Sequence, residues 1–417
     1  MTVSKNRPRP PVIDTGRSRT YRVAGGRAPG AVFAGRSALD PRLLLEACQS
    51  ELTSMLACLR RAVEIESPSN SKAGVDRMAK FFARQLKLLP ARVHVFPHPT
   101  AGSCVCAECW SGIQGAKPIL VLGHLDTVWP EGTLAHMPFR VRQGRAYGPG
   151  ILDMKSGIVC ALGAIRALQR LGIRPTSPVR FFLNSDEETA SVAFRQRLLA
   201  EARAARAVLV LEPAGPGGTL KVARKGVGKF RITVHGRSAH AGVDPENGVN
   251  AISELARQLL RIEKLAAPRR GLTLNVGVIQ GGTRTNVIPE TAWAVVDVRV
   301  PLLRDRAPIE RKVHALRPFN PQARLEITGG INRPPMERKV AMALFRRARE
   351  LGRELGLDLK GISTGGGSDG NFTAALGIPT LDGLGAVGNG GHARHEHVLI
   401  AELPRRAALL AALIANL

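Results

Sequence analysis

The chain has 417 residues, 60 Lys and Arg against 33 Asp and Glu, a formal net charge of +27 and a pI near 11.2. Hydrophobic residues make up 44% and no run of 18 apolar residues occurs, so a membrane span is not expected and a globular chain of more than one domain is. Arg is spread through amphipathic stretches such as "RRARELGRELG" and "RRAALLAALIANL" and not interleaved with aromatics, which argues for a solvated basic surface and against nucleic-acid binding.

Residues 1–40 are rich in Arg, Pro and Gly and hold only Asp14 and Asp40 as acids. They lack the apolar core of a secretory signal and read as a disordered basic extension. From residue 41, "LLLEACQSELTSMLACLRRAVEI" returns apolar residues at helical spacing. Short apolar runs then alternate with helical stretches: "ARVHVF", "PILVLGH", a helix near 154–171, "PVRFFLN" and "RAVLVLE". This alternation predicts an α/β domain with a mostly parallel sheet. The six cysteines are too few for a disulfide scaffold. Cys48, Cys58 and Cys160 read as core residues. In "SCVCAEC", Cys104, Cys106 and Cys109 lack the second pair that a zinc site uses, and read as reduced strand cysteines.

The character changes near residue 225. "GKFRITVHG", "LTLNVGVIQ", "TAWAVVDVRV" and "ARLEITGG" read as strands, with "NGVNAISELARQLLRIEKL" and "APIERKVHALRP" as helices between them. That β-α-β-β-α-β order predicts a ferredoxin-like α+β insert over 225–334. The α/β pattern resumes over 335–417, so the insert interrupts one domain whose first part is 41–224.

Candidate chemistry collects where strands end, the usual place for a site in an α/β sheet. "VLGHLDTV" puts His124 two residues before Asp126, and a carboxylate can orient the second nitrogen of a metal-binding His. In "YGPGILDMKSG", Gly148 and Gly150 permit a tight loop, and Asp153 precedes a helix, where an N-cap is the plainer reading. "NSDEET" crowds Asp186, Glu187 and Glu188 at the end of an apolar strand, which calls for a cation or a chemical purpose. "VLVLEPAG" closes on Glu212, and "GNGGHARHEH" sets His392 behind a glycine loop. Two His and several carboxylates at strand ends suit a pair of Zn²⁺ ions sharing a bridging carboxylate and a water.

The ordered set "GHLDTV", "GPGILDMKSG", "NSDEET", "LEPA", "SAHAG" and "GGHARHE" resembles the di-zinc metallopeptidase family. That family includes glutamate carboxypeptidase, aminoacylases, acetylornithine deacetylase and succinyl-diaminopimelate desuccinylase. The resemblance spans residues 45–417, and "TGGGSDGNF" and "GVNAISELA" look closest to the glutamate carboxypeptidase branch.

The resemblance implies a mostly parallel-sheet di-zinc peptidase domain interrupted by a lid and dimerisation domain. It makes His124, Asp153 and Glu212 the ligands of one zinc ion, and Asp153, Glu188 and His392 those of the second, with Co²⁺ or Mn²⁺ as substitutes. Asp126 would orient His124, Glu187 would be the general base, and a non-proline cis peptide would follow Asp153. His240 in "GRSAHAGVDP" would reach the site, often from the neighbouring subunit of a homodimer. Asn286, Arg299 and Arg333 would bind the substrate's carboxylate end, with backbone donors at Gly367 and Ser368. Glu396, four residues after His392, would support the ligands, and Asp186 would not be one of them.

The implied activity is zinc-dependent hydrolysis that releases a C-terminal, acidic amino acid from a small peptidyl or N-acyl substrate in the cytoplasm, without nucleic-acid or membrane partners. The alternative is deacylation of an N-acyl amino acid. A remote alternative is an inactive binding or scaffold homologue, against which every expected ligand and base position is filled.

Overall fold

The computed structural model describes residues 41–417, and the basic extension expected over 1–40 lies outside the described residues. The first long helical pattern forms two helices, Pro41–Ser50 and Leu52–Val63. Glu51 separates them, and its carboxylate pairs with Arg170 on the helix Ser156–Arg170.

The main sheet has six strands in the order Ala91–Phe96, Cys104–Cys109, Val179–Asn184, Ile119–His124, Ala207–Val210 and Thr380–Leu381. Ile119–His124 runs parallel to both of its neighbours, and Thr380–Leu381 runs parallel to Ala207–Val210. Cys104–Cys109 runs antiparallel to both strands beside it. The sheet is therefore mostly parallel, as the α/β alternation predicts.

Ile119–His124 is buried at every position, as a central strand covered on both faces must be. Ile119 and Val121 enter the larger core, with the helices Ser156–Arg170 and Glu402–Asn416, while Leu120 and Leu122 enter a smaller core on the other face. The cysteines of "SCVCAEC" follow the same alternation, with Cys104 and Cys106 in the smaller core and Cys109 in the larger. All six cysteines are unpaired and buried, and burial pushes the Cys109 thiol up to about 12.

Residues 226–333 form a second sheet with its own core. The strands Gly226–His235, Thr273–Gly281, Thr291–Val300 and Arg324–Arg333 alternate with the helices Ala251–Glu263 and Leu303–His314 in the β-α-β-β-α-β order. Every strand pairing in this sheet is antiparallel. Phe230, Ile232 and Val234 meet Ala294, Val296 and Val298 and the helix residues Leu255, Ile262, Ile309 and Val313. The chain enters and leaves this module side by side. Val227 is paired with Arg333, and Arg224 and Met336 exchange both backbone hydrogen bonds at 3.0 Å. Among the described residues no helix is long and apolar enough to cross a membrane.

Two glycines fix the backbone that carries Glu212. A Cβ on Gly157 would lie 2.1 Å from the Leu211 carbonyl oxygen, and one on Gly385 would lie 2.2 Å from the same atom. Helix propensity favours Ala over Gly by up to about 1 kcal/mol, but displacing packed backbone costs about 1–3 kcal/mol. Gly157→Ala is therefore expected to lower the melting temperature in a thermal denaturation scan. A rise would show that the helix withdraws without cost.

Candidate metal centre

The site assembles where three parallel strands of the main sheet end. His124 closes its strand almost fully buried, with Nε2 3.2 Å from Asp153 Oδ1 and 3.6 Å from Glu212 Oε1. His392, on a loop, places Nε2 3.0 Å from Glu188 Oε1 and 3.4 Å from Asp153 Oδ2. Asp153 thus turns one oxygen to each imidazole. Its side chain caps no helix amide, so the N-cap reading of this residue is replaced by a role between the two histidines. The peptide bond Asp153–Met154 is cis.

Glu396 holds the loop that delivers Asp153. Its Oε1 accepts from the amides of Leu152 at 2.8 Å and Asp153 at 3.1 Å. Its Oε2 accepts from Gly150 N at 3.0 Å and Trp129 Nε1 at 2.7 Å. Asp126 does the same for the acidic turn, accepting from the amides of Glu187 and Glu188, each at 3.1 Å, and from Ser69 Oγ at 2.7 Å. His124 Nδ1 lies 3.0 Å from the Asp126 carbonyl and 3.4 Å from its carboxylate, so the backbone of Asp126 is the nearer orienting group. Asp186 shapes the turn: its Oδ2 accepts from Ala193 N and its carbonyl from the amides of Thr189 and Ser191.

The charges of these groups are mutually dependent. Burial and the neighbouring Asp153 push the Glu212 carboxyl up to about 7. Burial also drives Glu187 well above the usual carboxylate range, against the opposing pull of Arg333, whose Nη2 is 2.9 Å from Glu187 Oε1. For Asp153 burial acts in the same direction, but hydrogen bonds from His124 and His392 overcome it and hold the carboxyl low. Those bonds to Asp153 and Glu188 push His392 up to about 10.

Three sets of donor atoms lie close enough to share an ion: His124, Asp153 and Glu212; His124, Glu187 and Glu188; and Asp153, Glu188 and His392. Imidazole nitrogens with carboxylate oxygens are a donor set suited to zinc and its divalent neighbours, and a cation relieves the crowding of the acids. The residues present fit a metal centre.

The expected substrate contacts are distributed differently. Arg333 is buried, with Nη2 also donating to Ser191 Oγ at 3.1 Å, and so contacts the expected base directly. Arg299 donates to both Asp297 oxygens, at 2.8 and 3.0 Å, and to the Gly365 carbonyl at 3.2 Å. The Ser368 amide donates to Asn371 Oδ1 at 2.9 Å, while the Gly367 carbonyl accepts from Arg224. His240 and Asn286 lie together on an exposed part of the second module, where Ala241 N donates to the Asn286 carbonyl.

The model of peptidase family M20/M25/M40 matches residues 120–416. The chain belongs to this family. It is 30% identical over 415 residues to carboxypeptidase G2 of Pseudomonas sp. (strain RS-16), covering 96% of this chain and 99% of that protein. It is 33% identical to a succinyl-diaminopimelate desuccinylase of Methylorubrum extorquens, over 76% of this chain and 86% of that protein. The fold matches aminopeptidase PepT of Bacillus cereus with a TM-score of 0.74 at 22% identity, covering 88% and 98% of the two chains. As an M20/M25/M40 member, the protein is a metal-dependent hydrolase of the peptidase and amidohydrolase type.

Ser69, Trp129 and Arg224 also support the site, and each has a partner far away in the sequence: Asp126 at 57 residues, Glu396 at 267 and Asp382 at 158. Glu396→Gln keeps the shape of that side chain but turns an amide group toward N–H donors. Each unsatisfied buried donor costs roughly 1–3 kcal/mol. Denaturant unfolding of the metal-free variant is expected to show a loss of about 2 kcal/mol or more, and an unchanged midpoint would remove Glu396 from this role.

Proposed function

We propose that the protein is a zinc-dependent amidohydrolase that releases a C-terminal, acidic amino acid from a small peptidyl or N-acyl substrate. The observation that carries this reading is Asp153, whose Oδ1 and Oδ2 face His124 and His392 respectively, the arrangement of a carboxylate shared between two ions. His124, Asp153 and Glu212 would hold one ion and Asp153, Glu188 and His392 the other, with Co²⁺ or Mn²⁺ able to substitute. When bound, such ions supply an acidified water and polarise the scissile carbonyl.

Glu187 takes the proton of the attacking water and returns it to the leaving nitrogen. Its buried, upward-shifted carboxyl suits a group that must both accept and give up a proton. Arg333 holds that carboxylate by Oε1 and limits its rotation. Arg299 and the loop bearing Gly367 and Ser368 receive the carboxylate end of the substrate. Arg299 is half-buried and already lies against the Gly365 carbonyl, which supports their acting together. His240, on the second module, stabilises the developing oxyanion from the neighbouring subunit of a homodimer, and Asn286, beside it, joins in binding the substrate's carboxylate end.

In this reading 41–224 with 335–417 is the catalytic domain and 225–334 the lid. The match to carboxypeptidase G2 along nearly the whole chain supports release of a C-terminal residue, and the unpaired cysteines support a reducing, cytoplasmic setting. The desuccinylase relative supports a second reading, deacylation of an N-acyl amine.

A hydrolysis screen with zinc or cobalt separates the two. N-acyl glutamates and aspartates are expected to be cleaved faster than N-succinyl or N-acetyl amines, and the reverse order would favour the second reading. In the same assay Glu187→Gln is expected to retain both ions by metal analysis and to lose about 10²–10⁴-fold in kcat. Near-normal turnover would remove Glu187 as the base.

Metal uptake should also release protons. A histidine ligand must be neutral, whereas the metal-free His392 is held protonated up to about pH 10 by Asp153 and Glu188. Zinc affinity is therefore expected to rise with pH through the neutral range, by about ten-fold per pH unit for each proton displaced. Calorimetry at pH 7 in two buffers of different ionisation enthalpy would count those protons, and a count of zero would contradict the pairing.

A further inference from the structure

Arg224 is almost fully buried at the end of the strand Leu220–Arg224, at the point where the chain leaves the main domain for the second module. Its Nε and Nη2 take the two oxygens of Asp382 at 2.8 and 2.9 Å, a bidentate fork. Nη2 also reaches Glu212 Oε2 at 3.2 Å, and Nη1 donates to the carbonyls of Gly366 at 3.2 Å and Gly367 at 3.0 Å. Every N–H of the guanidinium thus has an acceptor. Ser368 Oγ donates to the same Asp382 carboxylate at 2.6 Å, which ties the glycine loop to the fork a second time.

We propose that Arg224 is a positioning residue whose single guanidinium fixes both the rotation of Glu212 and the conformation of the loop 366–368. Metal holding and the shape of the carboxylate-receiving loop are thereby coupled. The proposal rests on the metal-centre reading above. By occupying Oε2, Arg224 leaves Oε1 as the oxygen of Glu212 that faces His124. A lysine cannot reproduce this, because an ammonium is a point donor without the planar fork that reaches Asp382, Glu212 and two carbonyls together. A buried ion pair that served packing alone would link neither the ligand nor the loop to the arrival of the metal.

The test uses the full chain, stripped of metal and titrated with Zn²⁺ against a competing chelator, for wild type, R224K and D382N. Hydrogen exchange of the peptide spanning 365–371 is followed before and after zinc. The wild type is expected to bind two ions and to show slower exchange in that peptide once loaded. In R224K one ion is expected to weaken by about 10–100-fold, the usual cost of losing a partner of a ligand, while the other stays within about two-fold. Saturating zinc should then no longer protect the loop. Where R224K fails to fold in the metal-free melt, the isosteric D382N carries the same test, with a loss in the same direction. Two ions bound at wild-type affinity, with zinc-dependent protection intact, would overturn the proposal. A wild type that binds no zinc would instead overturn the metal-centre reading.

Discussion

Five carboxylates, from Asp126, Asp153, Glu187, Glu188 and Glu212, gather around two imidazoles at the end of the main sheet. Two like charges 4 Å apart repel by roughly 4 kcal/mol at an effective dielectric constant near 20. Such a group stays together if some members are neutralised, toward which burial pushes Glu187 and Glu212, or if cations are interleaved with it, and the protein supplies part of that positive charge itself. Arg333 lies against Glu187 and Arg224 against Glu212, while Asp153 lies between the two histidines. The acid positions that remain between the imidazoles are those suited to divalent ions.

The scaffold meets this demand by making the backbone hold the acids. Asp126 collects two amides and Glu396 three, so that two turns are bound through their N–H groups while the side chains of Glu187, Glu188 and Asp153 are left to face inward. Gly157 and Gly385 close on the carbonyl of Leu211, immediately before Glu212. The placement of these acids is thus a property of the loops' main chain, while the central strand, buried on both faces, carries His124 at its end.

Local pattern made the strands legible, because alternation and apolar runs are short-range signals. The four strands and two helices of the second module follow from periodicity alone, and the acidic turn is visible as a charge cluster after an apolar run. Asp153 is ambiguous in sequence because an acid before a helix is an ordinary cap, and only the fold brings the two imidazoles beside it. Arg224 carried no local signal, since its fork partner Asp382 is 158 residues away. Nor did the first helical pattern reveal its break, because the contact of Glu51 with Arg170 spans 119 residues.

The paired backbone hydrogen bonds between Arg224 and Met336 close a loop of chain at its neck. The whole module of residues 226–333 is spliced between two neighbouring backbone positions and contributes no strand to the six-stranded sheet. Changes in its length or sequence therefore leave the strand order beneath the acids untouched. The module can diverge in its own core while the sheet keeps its order, except at Arg333, whose side chain reaches back to Glu187, a division of labour written into the connectivity of the chain.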